Sequence, residues 1–397
     1  MINFEYYTPT QVVFGKETQK QVGKLIKKEG SRKVLVHYGS QSARKSGLLD
    51  EVFASLKESN IEYIELGGVV ANPLLSLVRE GIELCRKENV DFILAVGGGS
   101  VIDSAKAIGY GVPAAHDVWD FYSGKAVPES CLPIGTVLTI AAAGSEMSNS
   151  SVITKDDTQE KRGYGSDLSR CRFAIMNPAL TVTLPAYQTA CGCADILMHT
   201  LERYFTNEET MEITDSIAEG LLRTVIENAN ILSRTPDNYE ARAEVMWAGS
   251  LSHNGLTSCG GGNGDWASHQ LAHELSGKFN TAHGAALTAV WGSWARYVYK
   301  EDPARFARFA NKVLDIADEG DEEEMALAGI EEMESFFWGL GLPTSIKEAG
   351  IDMTEAVLQE FVTGCSRGNT RKIGAFKTLD EADIRAIYKM AATGEED

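Results

Sequence analysis

The sequence predicts an α/β domain with an open, mainly parallel sheet, followed by an all-helical domain. At 397 residues, the chain is longer than one hydrophobic core usually spans, so we expect two domains. Short apolar strands alternate with helical stretches in the first half, whereas the strand signal ends near Leu184-Pro185. We therefore expect one domain over residues 1–183 and a second over residues 184–397.

Apolar runs of strand length recur through the first half. The run Asp91–Val96 is almost entirely apolar, which is typical of a strand buried on both faces of a parallel sheet. One helix is expected to begin near Gly47, and another to run from Asn72-Pro73 to about Glu88. The predicted strands cover residues 33–37, 61–66, 91–96 and 133–138. Their alternation with helices indicates a sheet covered by helices on both faces.

The second half carries helical periodicity throughout. The predicted helices cover residues 187–234, 238–258, 266–276, 284–298, 303–318, 322–340 and 380–392. This change in pattern makes the segment Leu180–Pro185 the best place for a domain boundary.

Charge and composition disfavour several classes of partner. The net charge of −19 argues against nucleic acid and anionic membranes, because both require a positive surface. No apolar run reaches transmembrane length and the first residues lack a secretory leader pattern, so we expect a cytoplasmic protein. Seven scattered cysteines do not indicate a disulfide framework. The close pair Cys191 and Cys193 fits buried small side chains better than a structural zinc site.

Histidines form the most informative pattern in the chain. There are only seven of them, and four lie in two clusters. Asp195 and His199 are spaced to share one face of a helix, as are His269 and His273, and His283 follows shortly afterwards. A single helical histidine is more often a surface or core residue, but this grouping favours a divalent metal site. Spacing alone does not exclude His273 as a ligand.

A glycine triplet, Gly97–Gly99, stands between the third predicted strand and a helix. Ser100 and Asp103 follow it directly. Glycines allow the backbone to approach a phosphate closely, and the N–H groups of a helix start stabilise its charge. A tight turn without a ligand is the alternative, but the strand before and the helix after favour phosphate binding. The common dinucleotide pattern G-x-G-x-x-G is absent.

Gly39 and Ser40 follow the first predicted strand, where an adenosine ribose would lie. No acidic residue stands there to bind the ribose 2′-hydroxyl. Arg44 and Lys45 could neutralise a 2′-phosphate, which favours NADP, although both are equally compatible with a solvated surface.

A loop of small residues extends from Thr139 to Ser148 after the fourth predicted strand. It suits either close contact with a nicotinamide and its ribose or a buried chain crossing. The serine-hydrolase elbow, the zinc-protease helix, the P-loop and the EF-hand are all absent from the sequence.

The order of these motifs resembles that of the iron-containing (group III) alcohol dehydrogenases. Within that family, the chain is similar to the butanol dehydrogenase and aldehyde reductase branch. The resemblance spans essentially the whole chain. It is carried by Asn72-Pro73, Asp91–Asp103, Ala143–Glu146, Asn177-Pro178, Asp195-x-x-x-His199, Asp265-Trp266, His269-x-x-x-His273 and His283-Gly284.

The resemblance implies reversible hydride transfer between a primary alcohol or aldehyde and NADP or NAD, in a homodimer. It implies one divalent ion, Fe²⁺ or Zn²⁺, bound by Asp195, His199, His269 and His283, with His273 beside the nicotinamide and substrate. The cofactor-lining residues it implies are Gly39, Ser40, Asn72, Gly98, Gly99, Ser100, Asp103, Thr139, Ser148, Lys161 and Leu180. The alternatives are a dehydroquinate-synthase-like or glycerol-dehydrogenase-like enzyme on the same fold, and a protein that binds nucleotide or metal without catalysis.

Overall fold

The apolar runs of the first half form a six-stranded parallel sheet in the computed structural model, which describes residues 1–39, 41–208 and 211–393. Its strands are β1 (Gln11–Phe14), β2 (Lys33–Tyr38), β3 (Glu62–Leu66), β4 (Phe92–Gly97), β5 (Ile134–Leu138) and β8 (Phe173–Met176). Their order across the sheet is β1-β8-β5-β4-β2-β3, and every pairing is parallel. β6 (Ser150–Lys155) and β7 (Glu160–Gly165) form a separate antiparallel hairpin. The predicted open, mainly parallel sheet is confirmed.

Helices cover both faces of this sheet. The α-helices of this half of the chain are α1 (Val22–Lys28), α2 (Ser42–Lys45), α3 (Leu48–Glu58), α4 (Leu75–Glu88), α5 (Gly99–Gly111) and α6 (Trp119–Tyr122). Side chains of α1 and α3 pack against Val34 and Val36 of β2 in one hydrophobic cluster. His37, which points to the opposite face, lies 2.9 Å from the Ser104 hydroxyl of α5.

The chain reverses its direction of travel across the sheet between β2 and β4. From β2 it moves outward to β3, and it then returns to the other side of β2 to form β4. Tyr38 pairs with Val96, so the carboxyl ends of the two strands are adjacent. Open α/β sheets bind their ligands at such a switch point, because the loops after the two strands diverge there.

The second half is helical, as predicted. Its helices are α7 (Ala186–Tyr204), α8 (Glu212–Arg234), α9 (Tyr239–His253), α10 (Ala267–Phe279), α11 (His283–Val298), α12 (Pro303–Leu314), α13 (Glu322–Gly339), α14 (Glu355–Ser366) and α15 (Glu381–Thr393). The prediction of a single helix over residues 187–234 is wrong. The segment forms α7 and α8, because α7 ends where Phe205 becomes extended. The Phe205 ring stacks on Phe306 with centroids 4.2 Å apart, so tertiary packing interrupts the helical periodicity. α14 was not predicted, although the side chain of Thr354 caps its first turn.

Two compact units result from this arrangement. The first, or sheet unit, is Tyr7–Leu184. The second, or helical unit, runs from Pro185 onward and includes Met1–Tyr6. The first six residues thus lie with the helical unit, whereas the sequence assigned them to the α/β domain. A division into domains at residue 183 stays a prediction. No helix among the described residues is both long and apolar enough to cross a membrane.

Candidate metal and nucleotide sites

Three helices of the second unit bring one carboxylate and three imidazoles together. Asp195 and His199 lie on α7, His269 lies on α10, and His283 begins α11. The Nε2 atoms of His199, His269 and His283 are 3.6, 3.9 and 3.8 Å from Asp195 Oδ1. These distances are too long for hydrogen bonds. They are near the separation of about 3.4 Å between two tetrahedral ligands that each lie about 2.1 Å from one metal ion.

The buried atoms of this cluster have the chemistry that a cation requires. Asp195 Oδ1 and His269 Nε2 make no hydrogen bond, although the two residues are only 4% and 5% exposed. A buried polar atom without a partner costs about 1–3 kcal/mol, so the fold is more stable when a ligand binds both atoms. Asp195, His199 and His269 offer ligand atoms within 4.8 Å of one another. His283 adds a fourth donor from a side chain that is 28% exposed. The residues present therefore fit a divalent metal ion.

Two further residues orient the imidazoles. Glu202 Oε1 accepts hydrogen bonds from His269 Nδ1 and from the His269 backbone N–H, both at 2.9 Å. Nδ1 of His253 lies 2.8 Å from Nδ1 of His199. With Nδ1 engaged in a hydrogen bond, each imidazole presents its Nε2 lone pair toward Asp195.

Sequence analysis missed both orienting residues. Glu202 stands three positions after His199 on α7, so helical spacing is the one signal that could have found it. His253 lies at the end of α9, and no local pattern connects it with the cluster.

Burial and neighbouring charges set the proton affinities of the cluster. Burial lowers the pKa of His199 well below its usual value, and the adjacent His253 and His269 lower it further. This keeps the His199 ring neutral and its Nε2 lone pair available. Burial also acts to lower the pKa of His269, but interactions with Asp195 and Glu202 outweigh it and the pKa is raised. A proton and a metal ion therefore compete for His269 Nε2.

The approach of α11 to α7 depends on Gly284. A Cβ atom at this position would lie 2.1 Å from the carbonyl oxygen of Cys191. Only glycine allows this contact, which brings His283 at the start of α11 within reach of Asp195 on α7. His273, one turn after His269, has its ring centroid 5.7 Å from that of His283 and so lies beside the cluster.

In the first unit, the glycine triplet forms the turn from β4 into α5. Gly97 ends β4, Gly98 precedes the helix and α5 begins at Gly99, so Ser100 lies in its first turn. No side chain caps this helix start. A Cβ on Gly98 would meet Ile140 at 3.0 Å, so the neighbouring loop packs closely against the triplet. The strand, turn and helix are arranged as the sequence predicts, and the backbone N–H groups of such a helix start are able to bind a phosphate.

Asp103 and Lys106 of α5 hold the loop that follows β5. Asp103 accepts hydrogen bonds from the Ser145 hydroxyl at 2.6 Å and from the Val152 backbone N–H at 2.9 Å. Lys106 is fully buried, and its ammonium group donates to the carbonyl oxygens of Ser145, Ser148 and Ser150 at 2.7–2.9 Å. Asp103 thus contacts this loop through Ser145 and β6 through Val152. Sequence analysis missed Lys106, which has no spacing signal.

The other predicted cofactor residues are distributed around the carboxyl edge of the sheet. The Thr139 N–H donates to the carbonyl oxygen of Gly97 at 3.0 Å, which joins two predicted segments. Lys161 donates to Asn72 at 3.0 Å and forms a second predicted pair. Gly39 directly follows β2, and Ser148 is buried. Leu180 follows β8 and packs against the core cluster. Ser40 lies outside the described residues.

Comparison with known families gives two matches that together span most of the chain. Residues 9–178 match the model described as iron-containing alcohol dehydrogenase. Residues 189–392 match the model described as the C-terminal part of the Fe-containing alcohol dehydrogenase family.

Individual relatives match over nearly their full length. NADH-dependent butanol dehydrogenase A of Clostridium acetobutylicum is 40% identical over 98% of this chain and 100% of its own. The NADPH-dependent aldehyde reductase YqhD of Escherichia coli is 36% identical over 89% of this chain and 90% of its own. The crystal structure of NADH-dependent butanol dehydrogenase A from Thermotoga maritima superimposes with a TM-score of 0.95, at 41% identity and 99% coverage of both chains.

Proposed function

Because the chain belongs to the iron-containing alcohol dehydrogenase family, we propose that it interconverts a primary alcohol of about the size of butanol and its aldehyde, using Asp195, His199, His269 and His283 as metal ligands. Family, fold class and NAD(P)-dependent alcohol or aldehyde oxidoreduction agree with the prediction from the sequence. The dehydroquinate-synthase-like and glycerol-dehydrogenase-like alternatives are not favoured by these relatives. We propose the substrate, the set of metal ligands and the role of each residue on this basis.

One observation supports the ligand set most directly: Nε2 atoms of three histidines converge on one oxygen of Asp195 without hydrogen bonding to it. Three imidazoles and a carboxylate suit Fe²⁺ or Zn²⁺. When bound, the ion supplies Lewis acidity at the substrate oxygen, and NAD(P) supplies or accepts the hydride.

The chain's own groups then have distinct tasks. The Asp195 carboxylate offsets part of the ion's charge, while Glu202 and His253 hold two imidazoles in the required tautomer. We assign His273, beside His283, to transfer of the proton that the substrate oxygen gains in aldehyde reduction and loses in alcohol oxidation.

Cofactor binding is assigned to the first unit. The N–H groups at the start of α5, from Gly98 to Ser100, would bind the pyrophosphate, and Lys106 and Asp103 would position the loop that follows β5. We propose that the two units act as separate domains for cofactor and metal. The further cofactor residues proposed are Gly39, Ser40, Asn72, Gly97, Thr139, Ser148, Lys161 and Leu180.

The test uses chelated protein to which Fe²⁺ or Zn²⁺ is returned, with butanal and either NADH or NADPH. We expect cofactor oxidation that disappears after chelation and recovers with metal. His269→Ala should lose both bound metal and turnover. His116→Ala, which removes a half-exposed histidine of the other unit, should keep both. Turnover that survives chelation would contradict the proposal.

We also propose a cytoplasmic homodimer. All seven cysteines are free thiols, which suits a reducing compartment. The dimer is inferred from family resemblance, and sedimentation equilibrium of the purified protein would test it.

A further inference from the structure

Arg44, Tyr38 and Glu65 form a closed group at the carboxyl edge of the sheet. The Arg44 guanidinium donates a hydrogen bond to the Tyr38 hydroxyl at 2.7 Å and another to the Glu65 carboxylate. The Tyr38 hydroxyl in turn donates to the same Glu65 oxygen at 3.1 Å. The guanidinium carbon also lies 5.5 Å from the centroid of the Tyr38 ring. The positive charge of Arg44 therefore already has a carboxylate partner.

The position of this group connects it with the adenosine end of a dinucleotide. Tyr38 is the last residue of β2, and Glu65 lies one residue before the end of the neighbouring strand β3. Gly39 then accepts a hydrogen bond from the Gly68 N–H at 3.0 Å, which brings the loops after these strands together. β4 and its glycine triplet lie on the opposite side of β2. A dinucleotide with its pyrophosphate at that triplet can extend its adenosine ribose toward this edge.

Packing restrains the group. A Cβ atom on Gly67 would lie 2.5 Å from the Tyr38 ring, so the chain after β3 passes directly against that ring. Tyr38 is 8% exposed, whereas the side chains of Arg44 and Glu65 are 45% and 35% exposed. The two charged groups are thus accessible to a ligand, and the ring between them is held in place.

We propose that Glu65 makes this enzyme prefer NADH over NADPH, because it neutralises Arg44 and places a carboxylate where a 2′-phosphate would lie. The inference rests on the proposed binding of a dinucleotide at this edge. In dinucleotide-binding sheets, an acidic side chain near the ribose disfavours a 2′-phosphate, whereas an arginine accommodates it. The acidic residue that is absent from the loop after β2 is supplied here by β3. Arg44 therefore does not support the NADP preference suggested by the sequence.

The test is equilibrium binding of NADH and of NADPH, followed by cofactor fluorescence on the full-length, metal-loaded protein. We expect the unmodified protein to bind NADH more tightly. Glu65→Gln should tighten NADPH binding about fivefold and change NADH binding much less, since an exposed charge pair has an effect of this order.

The chain offers a matched control. Glu88 pairs with Lys33 at 2.8 Å, and its side chain is 34% exposed, close to the 35% of Glu65. Lys33 lies at the opposite end of β2, so Glu88→Gln removes a comparable ion pair away from the proposed site. It should leave the ratio of the two affinities unchanged.

A double substitution tests whether Arg44, once Glu65 no longer neutralises its charge, is the group that raises the affinity for NADPH. If Glu65 acts through Arg44, Glu65→Gln combined with Arg44→Gln should lose the gain in NADPH affinity. A gain that persists without Arg44 would overturn neutralisation of Arg44 as the cause and leave repulsion by the Glu65 carboxylate itself. An unchanged affinity ratio in Glu65→Gln would overturn the role of Glu65, and tighter NADPH binding by the unmodified protein would overturn the NADH preference. Neither result would contradict the proposed function. Failure to bind either cofactor would overturn the proposed function as well.

Discussion

Glu202 uses one carboxylate oxygen to hold both the ring and the backbone N–H of His269. The residue is 3% exposed, and its negative charge strengthens the Nδ1–H hydrogen bond. The bond makes Nε2 of His269 a better ligand and prevents rotation of the ring. His253 acts in the same way on His199 at 2.8 Å. Two of the three cluster histidines, His199 and His269, are thus oriented by residues outside the cluster.

Glu202→Gln keeps the side-chain shape but removes this charge. We expect metal affinity to fall at least about tenfold, because loss of such an orienting partner typically weakens binding by 10- to 100-fold. Competition with a chromophoric chelator would measure it. Glu219→Gln provides the control, since Glu219 is also buried at 4% exposure but pairs with Tyr204 and Arg308. Equal metal affinities in the two variants would contradict the role of Glu202.

His37 makes the sheet unit sensitive to acid. Its Nδ1 donates to the carbonyl oxygen of Leu66 at 2.8 Å, and its Nε2 accepts from Ser104 at 2.9 Å. Burial lowers the pKa of His37 to about 4 from 6.5. Because the unfolded chain binds the proton more tightly, the stability present above pH 6.5 is lost as pH falls toward 4.

The expected loss from His37 is about 2 kcal/mol between pH 7 and pH 5. Urea unfolding of the unmodified protein and of His37→Gln at the two pH values would measure it. The variant should be less stable at pH 7 but should lose about 2 kcal/mol less on acidification. Parallel losses in the two proteins would show that His37 is not the group responsible.

At the scale of elements, the proposed metal site depends on how three helices meet. α7 supplies Asp195 and His199 by helical spacing alone, whereas α10 and α11 must be brought to it by packing. Gly284 allows α11 to pack directly against the Cys191 carbonyl of α7. In the sheet unit, Lys106 has the corresponding task, since its ammonium group fixes three carbonyl oxygens of the loop and hairpin next to α5.

Gly284→Ala should therefore move α11 away from α7. A Cβ atom 2.1 Å from a backbone oxygen cannot be accommodated by rotation of a side chain. We expect a loss of stability of about 1–3 kcal/mol and a loss of metal affinity of at least about tenfold. Calorimetric melting and metal titration would measure the two effects.

Gly220→Ala is the matched control for that substitution. Gly220 also lies within a helix, but its added Cβ would meet only the end of Arg223, at 4.0 Å. Alanine should there raise stability slightly, because it favours the helix by up to about 1 kcal/mol. If Gly284→Ala behaved in the same way, the close approach would not be needed for the site.

At the scale of the whole molecule, the proposed metal and cofactor residues lie in different units. All four proposed metal ligands lie in the helical unit, and all proposed cofactor residues lie in Tyr7–Leu184. If each unit binds its own ligand as proposed, each ligand should stabilise its own unit. A ligand at a thousand times its dissociation constant adds about 4 kcal/mol to the state that binds it.

Chelation should consequently lower the melting temperature of the helical unit and leave that of the sheet unit nearly unchanged. Addition of cofactor should have its larger effect on the sheet unit. Differential scanning calorimetry with and without chelator would measure both, with hydrogen exchange to assign each transition to a unit. An equal shift of all transitions would show instead that the two units unfold as one.

Much of this protein followed from local sequence patterns. Period-two and all-apolar runs predicted the parallel strands β2 to β5, because alternation and burial are properties of neighbouring residues. The turn at Gly97–Gly99 and the helical spacing of Asp195 and His199 were predictable for the same reason. Short strands such as β1 and β8, and the break between α7 and α8, escaped prediction because their local signal is weak.

The partners of the functional residues were decided by the tertiary structure alone. Glu202 and His269 are 67 positions apart, His199 and His253 are 54 apart, and Arg44 and Glu65 belong to different elements. Periodicity tells which face of an element a residue occupies, but not which other element packs against that face. The two-part fold, the glycine loop and the candidate ligands follow from local patterns of residues. Packing between distant elements decided which groups orient those ligands and which charge Arg44 meets.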